Sequence, residues 1–429
     1  MQSNSQNSSS AVFQFTKRIT TFAFNISLSS QLIDIVARGN IYQVKFLKKI
    51  LFDTRQFLSV MINSYSQDYW LDLLKAGHKL DRQEGSELLE QFNMQELMSM
   101  ADNLTDYQVG NTVTFAVSYN INYSNYCAAS CPICAFYVPA KIKGKTNKGY
   151  ELSIEDVKRE LENAKQYNPT EIHIVGGFNP YLPIEYYEEI FRTVKKYMPE
   201  AVLKALTIPE IDFIARTTGN SLQETVARFH DAGMEAHTGG GAEIFDPEIR
   251  KIMSTDEKIS GEKWLEDASI IHKMGIKGNS TMTYGSVENW SHIIDHMVRL
   301  RDLQATTGGF LSFIPLKFSP ENTPLLKMGK VHGPASGEKD LKVIALARLI
   351  MGKWMRNISV YWVSMGKGIG QMALTGGGND LVGTAISEKI FGATNRHEMT
   401  TVEELSQLVS EVGKIPAKRD TFYNLKGYF

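Results

Sequence analysis

TVTFAVSYNINYSNYCAASCPIC, residues 112–134, decides how the rest of this 429-residue chain is read. Residues 112–121 are rich in β-branched and aromatic side chains, the composition of a strand. They run into Cys127-Ala-Ala-Ser-Cys131-Pro-Ile-Cys134, which holds all three cysteines of the protein within eight positions. Free core cysteines scatter along a chain, and these do not. A structural zinc site needs a fourth ligand to close its tetrahedron, and no His lies within the next few dozen residues. Three thiolates suit a four-iron, four-sulfur cluster that keeps one iron free of protein for a substrate or cofactor.

Outward from this loop, strands alternate with helices. Strand signals fall at 112–121, 171–175, 202–206, 234–237, 277–283, 310–315, 358–363 and 380–383, eight in all. Between them, Ser153 caps a helix, Pro183 opens another and Pro199 stops it. Eight strand–helix units predict an α/β fold, a (β/α)₈ TIM-type barrel over 111–384 with its chemistry at the C-terminal ends of the strands. The unusual segments obey that rule, since Gly176-Gly177, Gly239 to Glu243 and Tyr284 to Glu288 each follow a strand. Ahead of the barrel, 70–110 reads as a helical layer with a capping box at Asn93 and Glu96. Behind it, 385–429 is expected to be helical. Residues 1–69 form an extension with a Ser-rich, acid-poor opening that resembles a targeting peptide, and 41–62 has the pattern of an amphipathic surface helix.

Composition excludes several classes of function. The chain is 43% hydrophobic and 22% charged, with 46 basic against 47 acidic residues, so it shows no electrostatic footprint for nucleic acid or an anionic membrane. No apolar run is long enough to span a bilayer. Clustered cysteines without partners elsewhere argue against disulfides and for a reducing, cytoplasmic setting.

Several loop residues are candidates for chemistry. Glu243 ends a run of three glycines, where a carboxylate can accept from ribose hydroxyls or an ammonium, or else cap a helix starting near Asp246. Tyr284 and Glu288 can move a proton or position a substrate, although Glu288 also suits a helix N-terminus. His292 and His296 have the i, i+4 spacing of a metal pair but no third ligand, so a packed helix face is expected. Gly366-Lys-Gly-Ile-Gly370 lacks the ending of a phosphate loop and reads as a turn before a helix.

The CxxxCxxC spacing resembles the radical S-adenosylmethionine enzymes. That resemblance implies a [4Fe–4S] cluster on Cys127, Cys131 and Cys134, with S-adenosylmethionine on the open iron. It further implies that Gly176 and Gly177 lie against the methionine amino group, and that Phe136 lies against adenine. The strand-two motif in those enzymes is GGE-like and here reads GGFN, so the glycines match and the acid does not. An aromatic residue is also usual where Ile133 stands.

Longer stretches, VGGFNP at 175–180, KALTIPEI at 204–211, GGGAEIF at 239–245 and FIPLKFSPENT at 313–323, look like aminofutalosine synthase. This resemblance implies addition of the 5′-deoxyadenosyl radical to 3-[(1-carboxyvinyl)oxy]benzoate in menaquinone biosynthesis, with S-adenosylmethionine consumed as co-substrate and an electron donor such as flavodoxin or ferredoxin. Two sister activities remain open, the cyclic dehypoxanthine futalosine synthase and the tyrosine-dependent hydroxyphenyl transferase of deazaflavin biosynthesis. A non-catalytic iron–sulfur protein is the reading from another class. Asn179, His237-Thr238 and Ser286 depart from the family pattern and are expected to sit together on the substrate rim.

Overall fold

The computed structural model describes residues 66–396 and 399–429. The amphipathic reading of 41–62, and the extension as far as residue 65, fall outside those residues. Helices Gln67–Lys75, Arg82–Gln91 and Met94–Val109 come first. The third begins with the capping box: Glu96 N donates to Asn93 Oδ1 at 3.1 Å, and Asn93 N donates to the Glu96 carboxylate at 2.8 Å.

Strands β1 (Thr112–Ala116) and β2 (Ser118–Ile121) are one extended segment interrupted at Val117. From β2 a parallel sheet runs through β3 (Glu171–Ile174), β4 (Val202–Ala205), β5 (Ala236–His237), β6 (Lys277–Tyr284) and β7 (Phe310–Lys317). Beyond β7 the pairing thins to single bridges, Phe313 to Ile358 and Ser359 to Asp380, and these reach β8 (Asp380–Gly383). Because β8 pairs in parallel with β1, the six-stranded sheet is carried round into a closed ring. The fold is the α/β barrel expected from the alternation of strands and helices.

Two expectations change. The strand over 358–363 is shorter, because helix Trp362–Met365 begins inside it, anchored where the Trp362 indole donates to Gly383 O at 3.0 Å. The C-terminal segment 385–429 is also not simply helical. After helix Val402–Glu411, β9 (Ile415–Arg419) lies parallel to β1 and β10 (Leu425–Tyr428) returns antiparallel to it. β1 projects beyond the six-stranded sheet, and its second edge would be unpaired without β9.

Period-two alternation sorts the side chains. Ile172, Ile174, Leu203 and Ala205 turn outward and are fully buried. Each large apolar side chain buried this way contributes about 2 kcal/mol, so the outer layer of strands and helices carries the stability. On β2, β3, β4 and β6 the inward set is polar, including Ser118, Asn120, Glu171, His173, Lys204, Thr281 and Thr283, and it lines a cavity with the apolar Ile314 and Leu316 of β7. Barrels of this kind usually fill that space with branched apolar residues. Here part of it stays open as the cavity.

Candidate active site

A short parallel pair, Tyr126–Cys127 with Val138–Pro139, ties together the two ends of the cysteine loop. Within it Cys134 N donates to Cys131 O at 3.0 Å, and Phe178 N donates to Cys127 Sγ at 3.4 Å. Thr255 closes over the loop by donating its hydroxyl to Ala129 O. The three thiols are free, and they line one cavity together with Phe136, Gly176, Gly177 and Glu243. Gly177 has no room for a side chain, since a Cβ there would lie 2.3 Å from Tyr126 O. Gly239, with φ of 75°, would place a Cβ 1.8 Å from Asn279 O. Both loops pack backbone against backbone, which is what glycine permits.

Glu243 sits in the left-handed region with φ of 51°, a conformation that a side chain other than glycine rarely adopts. Its carboxylate accepts from Thr283 Oγ1 at 2.6 Å and pairs with Lys258. Burial pushes that carboxyl up, but the Lys258 charge and these hydrogen bonds outweigh burial and hold it below the usual carboxylate range. It does not cap the helix at 247–253. Asp246 does so, accepting from Glu248 N and Ile249 N at 3.0 Å.

Tyr284 and Glu288 do not line the cavity. On β6 the inward positions are Asn279, Thr281 and Thr283, so strand parity turns Tyr284 outward, where its hydroxyl donates to Asp340 at 2.9 Å. Glu288 holds its own turn, accepting from Gly285 N at 2.7 Å and Ser286 N at 2.8 Å, and it pairs with Lys339 at 2.7 Å. Of the departures from the family pattern, Ile133, Phe178 and Thr238 line the cavity, while Asn179, His237 and Ser286 stay off it. Asn179 bridges Ser124 and Glu151, Ser286 bonds to Glu288, and His237 stacks on His272 with Nε2 atoms 3.3 Å apart. These three side chains pack in the walls, outside the lining. His296 stacks on Phe245 at 3.9 Å and bonds to Thr281 O, the packed face expected of it.

The cavity also contains charged residues that reading the sequence missed. Glu171 pairs with Lys204 at 2.7 Å and accepts from Thr421 at 2.7 Å, while outside the lining Asp380 takes two bonds from Arg419 at 2.6 and 2.9 Å. Glu210 accepts from Gly176 N and Tyr123 Oη, both at 2.9 Å, and from Thr207 N at 2.7 Å. Parity would have placed Glu171 and Lys204 on the inner face, but it does not say that they meet.

Comparison with known proteins fits this geometry. Residues 121–300 match the family model described as the Radical SAM superfamily. The chain belongs to the radical SAM superfamily. Residues 307–428 match the model described as the CofH/MqnC C-terminal region. Among curated relatives, this radical SAM chain is 34% identical over 342 residues to a 5-amino-6-(D-ribitylamino)uracil–L-tyrosine 4-hydroxyphenyl transferase of Methanosarcina mazei, covering 78% of this chain and 86% of the relative. It is 33% identical over 356 residues to the cyclic dehypoxanthine futalosine synthase of Streptomyces coelicolor, covering 82% and 87%. Among solved structures, methylornithine synthase superposes with a TM-score of 0.62 at 19% identity, covering 81% of this chain and 97% of that one. The hydrogenase maturase HydG of Carboxydothermus hydrogenoformans gives 0.63 at 14% identity, covering 89% and 83%. At these identities the two structures speak to the fold.

Radical SAM enzymes use a [4Fe–4S] cluster and S-adenosylmethionine, and the cysteine loop suits the cluster. Among the described residues no three His, Cys, Asp or Glu side chains converge as one metal ion requires, whereas cluster thiolates bind separate irons. Burial pushes the Cys131 thiol up and the Cys134 thiol up to about 12. A bound cation is what holds such thiols as thiolates.

Proposed function

We propose that this radical SAM enzyme is a hydroxyphenyl transferase that takes L-tyrosine and 5-amino-6-(D-ribitylamino)uracil, the pair named for its Methanosarcina relatives. The observation that carries this reading is the state of the lysines. Among the described residues three lysines line the cavity and each is already matched: Lys204 to Glu171 at 2.7 Å, Lys317 to Asp340 at 2.7 Å, and Lys258 to Glu243. A carboxylate taken out of water needs a cation or several donors. The aryl enol ether of the aminofutalosine reaction carries two carboxylates and would find no spare lysine. Tyrosine is a zwitterion with no net charge, and a ribitylaminouracil is neutral and rich in hydroxyls. Asn279, Thr281 and Thr283 offer such groups neutral partners.

When bound and reduced, the cluster supplies the one-electron cleavage of S-adenosylmethionine that starts the reaction. This chain's own residues admit, orient and seal. Gly176 and Gly177 let a ligand approach the backbone, and Phe178 stacks on Phe213 at 4.9 Å to form an apolar wall beside the thiols. Ile314, Leu316 and Phe318 line the wall on the β7 side, so water is kept from a reactive intermediate.

Anaerobic turnover of the reconstituted protein, with S-adenosylmethionine labelled in its adenosine, tests the proposal. The expected result is tyrosine-dependent transfer to the uracil, with label only in 5′-deoxyadenosine. Label in a larger nucleoside formed from 3-[(1-carboxyvinyl)oxy]benzoate would restore the aminofutalosine reaction. Turnover of dehypoxanthine futalosine alone would assign the activity named for the Streptomyces relative.

A further inference from the structure

Glu210 is 2% exposed, lines the cavity, and has no cation beside it. Glu171 and Glu243 in the same cavity are also buried, and each holds a lysine. Glu388 also lacks a lysine, but it is only part-buried and is held by the N–H groups of Ile390 and Phe391. The donors on Glu210 are all neutral: the Gly176 and Thr207 amides and the Tyr123 phenol. Burial raises its carboxyl above the usual range, and the hydrogen bonds only partly offset that. Buried charges are normally paired, so an unpaired one in a ligand cavity implies that the ligand brings the countercharge.

Its position identifies the ligand group. Gly176 leads into Gly177, which packs on the Tyr126 carbonyl and Cys127 Cβ, so Glu210 lies two peptides from the cysteine loop. The next residue, Phe178, occupies the place of the missing acid and stacks on Phe213, which belongs to the same helix, Ile208–Thr218, that carries Glu210. We propose that Glu210 is the countercharge for the primary ammonium of an α-amino acid group bound beside Gly176, supplying from the neighbouring helix the acid that GGFN lacks. Two ligands carry such an ammonium, S-adenosylmethionine and tyrosine. The first rests on the family alone, and the second rests on the activity proposed above.

Glu210→Gln removes the charge and keeps an acceptor oxygen for Gly176 N and Tyr123 Oη, while its amide nitrogen gives up the bond from Thr207 N. Equilibrium binding to cluster-loaded protein is measured for S-adenosylmethionine, for tyrosine, and for the ammonium-free controls 5′-deoxyadenosine and 3-(4-hydroxyphenyl)propionate. The expected result is a loss of about tenfold or more for one ammonium-bearing ligand, with both controls unchanged. Whichever ligand weakens is the source. Without ligand, the variant is expected to melt within a few degrees of wild type, since removing an unpaired buried charge offsets the lost bond from Thr207 N. Equal losses for ammonium-bearing and ammonium-free ligands, no loss for either amino acid, or a ligand-free variant melting well below wild type would each overturn the assignment. If tyrosine binds neither form while S-adenosylmethionine weakens, Glu210 keeps its role and the transferase activity is what fails.

Discussion

The floor and the rim of the barrel use the same side chains in opposite ways. On the floor, Glu171 and Asp380 meet Lys204 and Arg419 at 2.6–2.9 Å, with Thr421 and Thr114 completing their bonds at 2.7 Å. Every charge there is matched, and the network ties the C-terminal strand to the barrel. On the rim, Cys127, Cys131 and Glu210 are buried and Cys134 half-buried, with no positive charge among the described residues in hydrogen-bond contact. The floor charges are all matched within the protein, whereas on the rim Glu243 pairs with Lys258 and Glu210 accepts from neutral donors alone.

Removing a thiol breaks the rim most severely. Cys131→Ala should abolish turnover and lower bound iron to background, while far-ultraviolet circular dichroism stays that of the folded barrel. A variant that kept both iron and turnover would refute the cluster assignment.

Breaking the floor should act on stability instead. Lys204→Met leaves Glu171 buried with only Arg419 3.9 Å away, and losing one partner of a buried pair costs about 3–5 kcal/mol. Chemical denaturation measures the loss, and an unchanged midpoint would show that the floor charges are not coupled to folding.

Acid sharpens the contrast. Burial alone would raise the Glu171 carboxyl, but Lys204 and Arg419 outweigh it and bring the value from 4.5 to about 2. A lowered folded-state value means that the contribution is complete above pH 4.5 and is lost as pH falls toward about 2. Melting of wild type across that window should show a fall that Lys204→Met shows less. The smallest effect is expected off the cavity altogether. Glu288→Gln should cost about 1 kcal/mol from weakened turn bonds and leave turnover within about twofold. A large kinetic loss with unchanged stability would return Glu288 to the reaction.

Much of this could be read directly from residue order. Strand composition and helix caps are local, so Thr112 to Ile121, the Asn93 box and the positions of the other barrel strands follow from a few neighbouring residues. The cysteine loop is legible for the same reason, as one short segment carries all three thiols. Tyr284 was misread even though the signal was present: counting alternate residues from Thr281 and Thr283 turns it outward. Glu288 and Ser286 were misread because a turn that satisfies its own amides looks like a catalytic loop until its hydrogen bonds are known.

The sequence by itself determined the alternation of strands and helices, the three-cysteine loop and the glycines that admit backbone close to it, because these depend on contacts between near neighbours. Tertiary structure alone decided that Lys204 meets Glu171, that Arg419 reaches Asp380 from 39 residues away, and that Glu210 from one segment stands on Gly176 from another. Electrostatic matching depends on distance in space, so whether a buried carboxylate stabilises the fold or waits for a ligand is settled only once the chain has closed into its barrel.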